Sequence, residues 1–507
     1  MENGIIKRTG DFCRKYWFRL SCGALVLIQF LVALRFMGRQ YFSLDEVSQI
    51  GFIAKGNSFG RIIDYYLTSE VTNLPLWPLL AAFWYRMVPY GEGWMRLINV
   101  ILTTIAIIFM IKAGKAWKSE RTGLLMGLLA CISSLIMIKC SLTFRVHAFW
   151  LLFTSLTLWL YIERLKEAGK ESKRILILLS VSVTGLVWSH YFGVLTVIYL
   201  MGIDLILLIR KHIGKACFIP YIIGGGSLLP WFLLMLSKRT MVLSDFWPKT
   251  PTLESIAKAL RYILSKNIPV YIIFLFAMLV AAFLLIESVF NGFKDFDDRF
   301  VRFAFAFMPL IFITLDYIYS AHINVRSGIF VYRYFLSVMP AAFLTTAVFT
   351  EECLDRLIDR LGLSQVFTYG VVVIFTAVYI GSGNFYYTVR EEISAPYDNT
   401  YGNVRDEILS KEGNPDEKVM IAINANRANA DGFEEYYFGY GRPGSSVHVV
   451  SNEDSDIRER MEKADRIYIY QVMEGTPDTF TELMGDDFKE TSQNADISLY
   501  EYERTGK

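Results

Sequence analysis

Hydrophobic runs long enough to cross a bilayer decide what this chain can fold into. A bilayer core takes roughly 17–25 residues of apolar helix. Runs of that length recur near 17–37, 95–113, 122–142, 146–162, 174–190, 192–209, 216–236, 268–290, 300–320, 331–350 and 366–384. Because lipid offers no partner to an unpaired backbone group, these runs predict about eleven transmembrane helices. With 53% hydrophobic and 15% aromatic residues, the 507-residue chain lies beyond ordinary soluble domains. A formal charge of +2 implies no nucleic-acid partner. The six cysteines (13, 22, 131, 140, 217 and 353) lie within or beside apolar runs and form no C-x-x-C pair, so neither a disulfide framework nor a zinc site is expected.

A further run, NLPLWPLLAAFWYRMVP at 73–89, is short and interrupted by Pro75, Pro78, Arg86 and Pro89. It reads as an interfacial or re-entrant segment rather than a span. Leaving it out places the basic stretch KAGKAWKSER (112–121) in the cytoplasm, as the positive-inside rule asks. Lys7, Arg8, Arg14, Lys15 and Arg19 lead into the first run with no small-residue cleavage site after it, so an uncleaved first span with a cytoplasmic N-terminus is expected.

This arrangement collects the unusual polar features on the outer side of a cell membrane. They are a first loop of about 38–94, TFRVHAF at 143–149, SHYFG at 189–193, a loop of about 237–267, INVRSGIFVYRYF at 323–335 and a hydrophilic tail. The tail alternates strand-like runs (419–423, 446–450, 466–471) with helix-like SDIRERMEKA (455–464). The expected division is a membrane domain over 1–384 and an extracytoplasmic α/β domain over 385–507.

In the first loop, YFSLDEVSQIG sets Asp45 beside Glu46 where the chain leaves the bilayer, followed by a stretch that fits a short interfacial helix. Partial desolvation raises a carboxylate's pKa, which suits a general base; the same residues equally fit a solvated helix cap. Arg145 and His147 close the third run. An arginine there either snorkels to the interface or grips a phosphate through paired hydrogen bonds and stabilises it as a leaving group. His190 and Tyr191, like Arg333 and Tyr334, stand at further helix ends, as cavity lining or as an aromatic belt. Together, arginines and histidines at three helix ends beside an acidic loop predict an anion-binding site. In the loop 237–267, Phe246, Trp247 and Pro248 precede an amphipathic helix with apolar residues at 253, 256, 257, 260, 263 and 264, suited either to gating a lipid tail or to packing on the tail domain.

The order of these parts resembles the GT-C glycosyltransferases. An Asp-Glu pair follows the first span, then comes a Pro-interrupted "HPPL"-type segment (Asn73-Leu74-Pro75-Leu76), then Arg96 in WMRLINVIL. TFRVHAFWLLFTSLTLWLYIER, WSHYFG, the FWxP loop and VYRYFLSVMP continue the likeness over about 17–350, nearest in pattern to protein O-mannosyltransferases and lipid A aminoarabinose transferases. The resemblance implies a polytopic GT-C membrane enzyme that moves a hexosyl or pentosyl group from a polyprenyl-phosphate carrier to an acceptor hydroxyl in the cell envelope (protein, lipid or polymer), with inversion. It implies Asp45, with Glu46 beside it, as the catalytic carboxylate. Arg145 would contact the donor phosphate, with His147, His190, Tyr191, Arg333, Tyr334 and Arg96 as further donor-binding residues. Some relatives use a divalent metal ion and others do not, which leaves a metal cofactor open. The family's histidine in the "HPPL" element is Asn73 here, and its usual tyrosine after Arg-x is His147. A competing reading is a transporter or flippase of a lipid-linked anion, since intramembrane Arg and His also mark transport paths; no inverted repeat supports it. A third is an interaction protein whose tail binds a ligand while the membrane part only anchors it.

Overall fold

The computed structural model describes residues 2–54, 57–68, 73–167, 172–238, 250–323, 329–382, 389, 400–411, 418–425, 427–439, 448–472 and 479–505. Phe246, Trp247 and Pro248 lie outside them, as do residues 324–328 of the expected INVRSGIFVYRYF segment.

The chain starts with α1 (Glu2–Phe36), α2 (Leu44–Ile53), α3 (Phe59–Thr68), α4 (Leu76–Met87), α5 (Glu92–Trp117) and α6 (Glu120–Cys131). A π-helical turn (Ile136–Ser141) leads into α7 (His147–Lys166), α8 (Lys173–Ser189), α9 (Tyr191–Ile209) and α10 (Ile219–Ser237). Then come α11 (Leu253–Ile263), α12 (Ile268–Phe290), α13 (Phe296–Ile318), a 3-10 segment (Tyr332–Val338), α14 (Met339–Leu361) and α15 (Gln365–Ser382).

Among the described residues, seven helices are long and apolar enough to cross a membrane: Tyr16–Phe36, Glu92–Trp117, Tyr191–Ile209, Lys215–Ser237, Ile268–Phe290, Phe296–Ile323 and Tyr332–Leu361. The other four expected runs are helical but broken, shorter or more polar. Run 122–142 splits into α6 and the π-turn, α7 ends in Glu163, Arg164 and Lys166, α8 has 17 residues and α15 has 18. The segment 73–89 forms the 12-residue α4, too short to span. Helix α12 leaves Ile272, Phe276, Leu279 and Phe283 exposed, as a lipid-facing surface requires.

Polar contacts lock the bundle from within and at one end. Asp204 of α9 accepts from Arg164 Nη2 (2.6 and 2.7 Å), Tyr161 Oη (2.9 Å) and Tyr221 Oη (2.6 Å), joining α7, α9 and α10. At the end of the bundle where α5 turns into α6, Arg121 donates to Asp355 (2.6 Å), Ser119 donates to Glu351 (2.7 Å), and Arg302 forks onto Glu352 (3.0 and 2.8 Å). The basic stretch 112–121 is thus tied to the acidic start of 351–355.

Beyond α15 the chain forms α16 (Thr400–Lys411), β1 (Val419–Ile423), α17 (Arg427–Phe433), β2 (His448–Ser451), α18 (Ile457–Lys463), β3 (Arg466–Tyr470), α19 (Thr479–Met484), β4 (Phe488–Asn494) and β5 (Leu499–Arg504). The sheet order is β2-β1-β3-β5-β4; β1 runs parallel to β2 and β3, and β5 is antiparallel to β3 and β4. Strand β1, VMIAI, is buried throughout, as a central parallel strand must be. Its alternation splits two cores. Met420 and Ala422 face Val450, Met461 and Ile469 in a separate core, whereas Val419, Ile421 and Ile423 join Tyr468, Tyr470 and Phe433 in the core continuous with the membrane part.

That second face positions the first loop. Helix α17 lies so close to α2 that a Cβ on Gly432 would collide with the Val47 carbonyl oxygen, and one on Gly402 would enter the Tyr41 ring. Tyr437 Oη accepts from the Phe42 amide (3.1 Å), Tyr41 Oη donates to Asp406 (2.6 Å), and Tyr90 Oη donates to the Tyr436 carbonyl (2.9 Å). Helix α2 is therefore sandwiched, with Val47, Gln49, Ile50, Gly51 and Ile53 buried. The apolar face of α2, expected to lie along a membrane interface, is covered by the C-terminal unit.

Candidate active site

Ser43 starts α2 as an N-cap with Glu46 at N3, a reciprocal capping box: Glu46 Oε2 accepts from the Ser43 amide and hydroxyl, each at 3.0 Å. The same carboxylate takes a bidentate fork from Arg96 at the start of α5, Nε to Oε1 and Nη2 to Oε2, each 2.9 Å. Its Oε1 also accepts from the Phe144 amide (2.6 Å). Arg96 spends its remaining donors on the carbonyls of Met37 (3.1 Å), Gln40 (2.7 Å) and Tyr41 (3.0 Å), and both side chains are 1% exposed. Burial pushes the Glu46 carboxyl up, but Arg96 and the backbone donors outweigh it and hold the group below the usual carboxylate range.

Against the roles expected of them, Glu46 has both oxygens committed to protein groups and Arg96 has all its N–H groups engaged with protein. The pair instead fixes the start of α2 to α5 and to the turn before Arg145.

The helix phase turns the neighbouring Asp45 the other way, to a side-chain exposure of 41%. Arg333 Nη1 meets Asp45 Oδ2 at 3.0 Å, and Arg145 Nη1 donates to the Asp45 backbone carbonyl at 2.8 Å. The Arg145 guanidinium is the chief cause holding the Asp45 carboxyl below its usual range; burial works against it, and Arg333 and Lys139 add to it. The raised pKa expected from desolvation is thus corrected, because two arginines and a lysine outweigh burial.

His147 opens α7 and is buried, with no hydrogen-bond partner for its Nδ1 among the described residues. His190 stacks on Trp150, ring centroids 4.2 Å apart, and its Nδ1 caps α9 by accepting from the Phe192 amide (3.3 Å). Tyr334 packs 5.0 Å from the His190 ring, under Arg333. Asp45, Arg145, His147, His190, Arg333 and Tyr334 thus come together from separate segments of the chain. Tyr191 is directed elsewhere, its hydroxyl accepting from Trp231 Nε1 (3.0 Å) along the seam of α9 and α10.

Sequence reasoning missed Lys139, whose charge acts on Asp45 and His147. A lysine inside the apolar run IMIKCSL was the available signal, since charge at membrane depth marks function. The expected surface helix is α11, which buries Ala259, Leu260 and Ile263 against α13 and the 3-10 segment carrying Arg333. Among the described residues no three His, Cys, Asp or Glu side chains could hold a metal ion together. The charges of Arg145 and Arg333 act on the Asp45 carboxylate and both histidines, a donor set that suits an anion rather than a divalent cation.

No family model matches the chain, and no curated protein does. Solved structures do match. ArnT from Cupriavidus metallidurans in the apo state superposes with a TM-score of 0.55 at 11% identity, covering 97% of this chain and 98% of that one. The same protein bound to undecaprenyl phosphate gives a TM-score of 0.53 at 11% identity, covering 96% and 97%. The chain has the GT-C fold.

Proposed function

We propose that this protein is a membrane glycosyltransferase that moves a sugar from a polyprenyl-phosphate donor to an acceptor hydroxyl on the outer face of the cytoplasmic membrane. The single observation that carries the reading is the placement of Asp45. A half-buried carboxylate on a firmly packed helix faces two arginines, Arg333 at 3.0 Å from its Oδ2 and Arg145 on its carbonyl. Base and anion holder are thus in direct contact. The solved structure of similar fold with undecaprenyl phosphate supports the donor class.

In the reaction, Asp45 takes the acceptor's hydroxyl proton as the oxygen attacks the anomeric carbon. The bond from that carbon to the phosphate oxygen breaks, and its electron pair leaves on the lipid phosphate. Arg145 and Arg333 neutralise the charge that develops there. Attack opposite to departure inverts the anomeric carbon.

The Arg333–Asp45 ion pair gives this scheme an order of events. While Arg333 holds it, Asp45 is a poor proton acceptor. An incoming phosphate competes for the guanidinium, loosens the pair and raises Asp45's basicity. Donor binding therefore prepares the base. Purified protein carrying Asp45→Asn tests the reading: sugar transfer from a polyprenyl-phosphate donor should be lost while the lipid still binds. Transfer at the wild-type rate would exclude Asp45 as the base.

A further inference from the structure

Arg145 stands on a short stretch of irregular backbone. The π-turn ends at Ser141, and the first backbone bond of α7 runs from the Trp150 amide to the Val146 carbonyl (2.9 Å), so residues 143–145 belong to neither helix. A guanidinium on such backbone is only as well placed as the bonds that tie the chain down. The Arg145 amide donates to the Thr143 carbonyl (2.8 Å), the Phe144 amide donates to Glu46 Oε1 (2.6 Å), and Thr143 Oγ1 donates to the Ile138 carbonyl (2.8 Å). The remaining tie comes from α5, where Asn99 Nδ2 donates to the Arg145 carbonyl at 2.8 Å.

Asn99 lies three residues beyond Arg96, on the same face of α5. Arg96 fixes Glu46, the neighbour of Asp45, while Asn99 fixes Arg145, whose Nη1 returns to the Asp45 carbonyl (2.8 Å). One turn of α5 therefore holds both ends of the contact between Asp45 and Arg145. Packing does not explain an asparagine at this place. Asn99 is wholly buried, and its Oδ1 has no hydrogen-bond partner among the described residues. A leucine of similar size would fill the volume without that desolvation cost. The half of the amide that is used goes to Arg145.

We propose that Asn99 is a positioning residue that acts through Arg145 and sets where its guanidinium meets the donor phosphate. Its bond is to backbone, so it takes no part in the chemistry itself. The inference rests on the transferase reading and adds to it a residue outside the reacting groups.

A double-variant cycle on the purified full-length protein tests it, read by undecaprenyl phosphate binding and by thermal unfolding. Asn99→Leu should weaken lipid binding about tenfold and slow transfer by up to about 10²-fold, the scale of loss from a misplacement of about 1 Å. Arg145→Gln removes the guanidinium but keeps the backbone carbonyl that Asn99 holds. In that background Asn99→Leu should cost no further affinity, while it should lower the unfolding temperature as much as it does in wild type. Loss of affinity by the same factor in both backgrounds marks a merely structural asparagine and overturns the proposal, as does wild-type affinity in Asn99→Leu. The acid limb of kcat/KM gives a second readout. Arg145 is the chief cause depressing the Asp45 carboxyl, so Asn99→Leu should move the limb upward, and an unmoved limb overturns the proposal. Ile107→Ala, a buried truncation on the same helix, should lower the unfolding temperature and leave the limb in place. Asn99→Ser, too short to reach the carbonyl, carries the cycle where Asn99→Leu does not fold. Wild-type protein that binds no undecaprenyl phosphate would remove the transferase reading and the inference with it.

Discussion

Arg96 grips Glu46 with two parallel hydrogen bonds of 2.9 Å in a place where both side chains are 1% exposed. Removing one member of such a pair strands the other charge. Arg96→Met should therefore cost roughly 3–5 kcal/mol of stability, and Glu46→Gln should also destabilise. The double variant should lose less than the sum of the two. Thermal unfolding of the two single variants and the double one checks this; additive losses would mean that the pair is not coupled.

Asp45→Asn removes the proposed base and keeps the shape. Transfer should fall by about 10²–10⁴-fold, the usual contribution of a general base. Lipid binding should be kept or strengthened, because the neutral amide no longer competes with phosphate for Arg333. Equilibrium binding and initial-rate measurements on one preparation separate the two effects.

The pH dependence follows from the sign of the Asp45 shift. Its folded pKa is depressed, chiefly by Arg145, so its contribution to stability is present above the ordinary carboxylate value of about 3.9 and is lost as pH falls through the lower folded value. The acid limb of kcat/KM, which reports the free protein, should lie below that ordinary value. The acid limb of kcat should lie higher, because bound phosphate has drawn Arg333 away. Arg333→Gln should raise the kcat/KM limb toward the kcat limb. Coincident limbs in wild type would argue against donor-prepared basicity.

Gly432→Val places a branched side chain where a single Cβ already collides with the Val47 carbonyl. The overpacking should cost about 1–3 kcal/mol and shift α2, so activity should fall even where the protein remains folded. Tyr437→Phe leaves the buried Phe42 amide without its acceptor and should cost about 1–3 kcal/mol. Transfer rates measured alongside unfolding midpoints test both variants. Unaltered activity in a folded Gly432→Val protein would show that α2 tolerates the displacement.

Most of the membrane part could be read from hydropathy, because a bilayer imposes length and composition on every helix that crosses it. The site was readable in part. Asp45, Arg145 and Arg333 stand out as charges at helix ends, but Glu46 and Arg96 look the same in sequence and turn out to be a buried internal pair. A helix phase of one residue separates Asp45 from Glu46, and only tertiary packing decides which of them is buried. The strands VMIAI and RIYIY announced themselves as apolar runs. Two strands did not: FKETSQN is an exposed edge strand with little apolar pattern, and LYEYER carries Glu501, which is buried beside Lys411 and Ser492.

The clasp between Tyr437 and Phe42 joins positions 395 residues apart. At ribosomal speeds of about 5–20 residues per second, roughly 20–80 s pass between the synthesis of one and of the other. During that interval the helices of the bundle insert while α2 packs on α4 but lacks the C-terminal unit. A chain in transit, or one truncated before residue 400, carries Asp45 on an unseated helix. The C-terminal unit, made after the helices of the bundle, is thus what holds down the first loop.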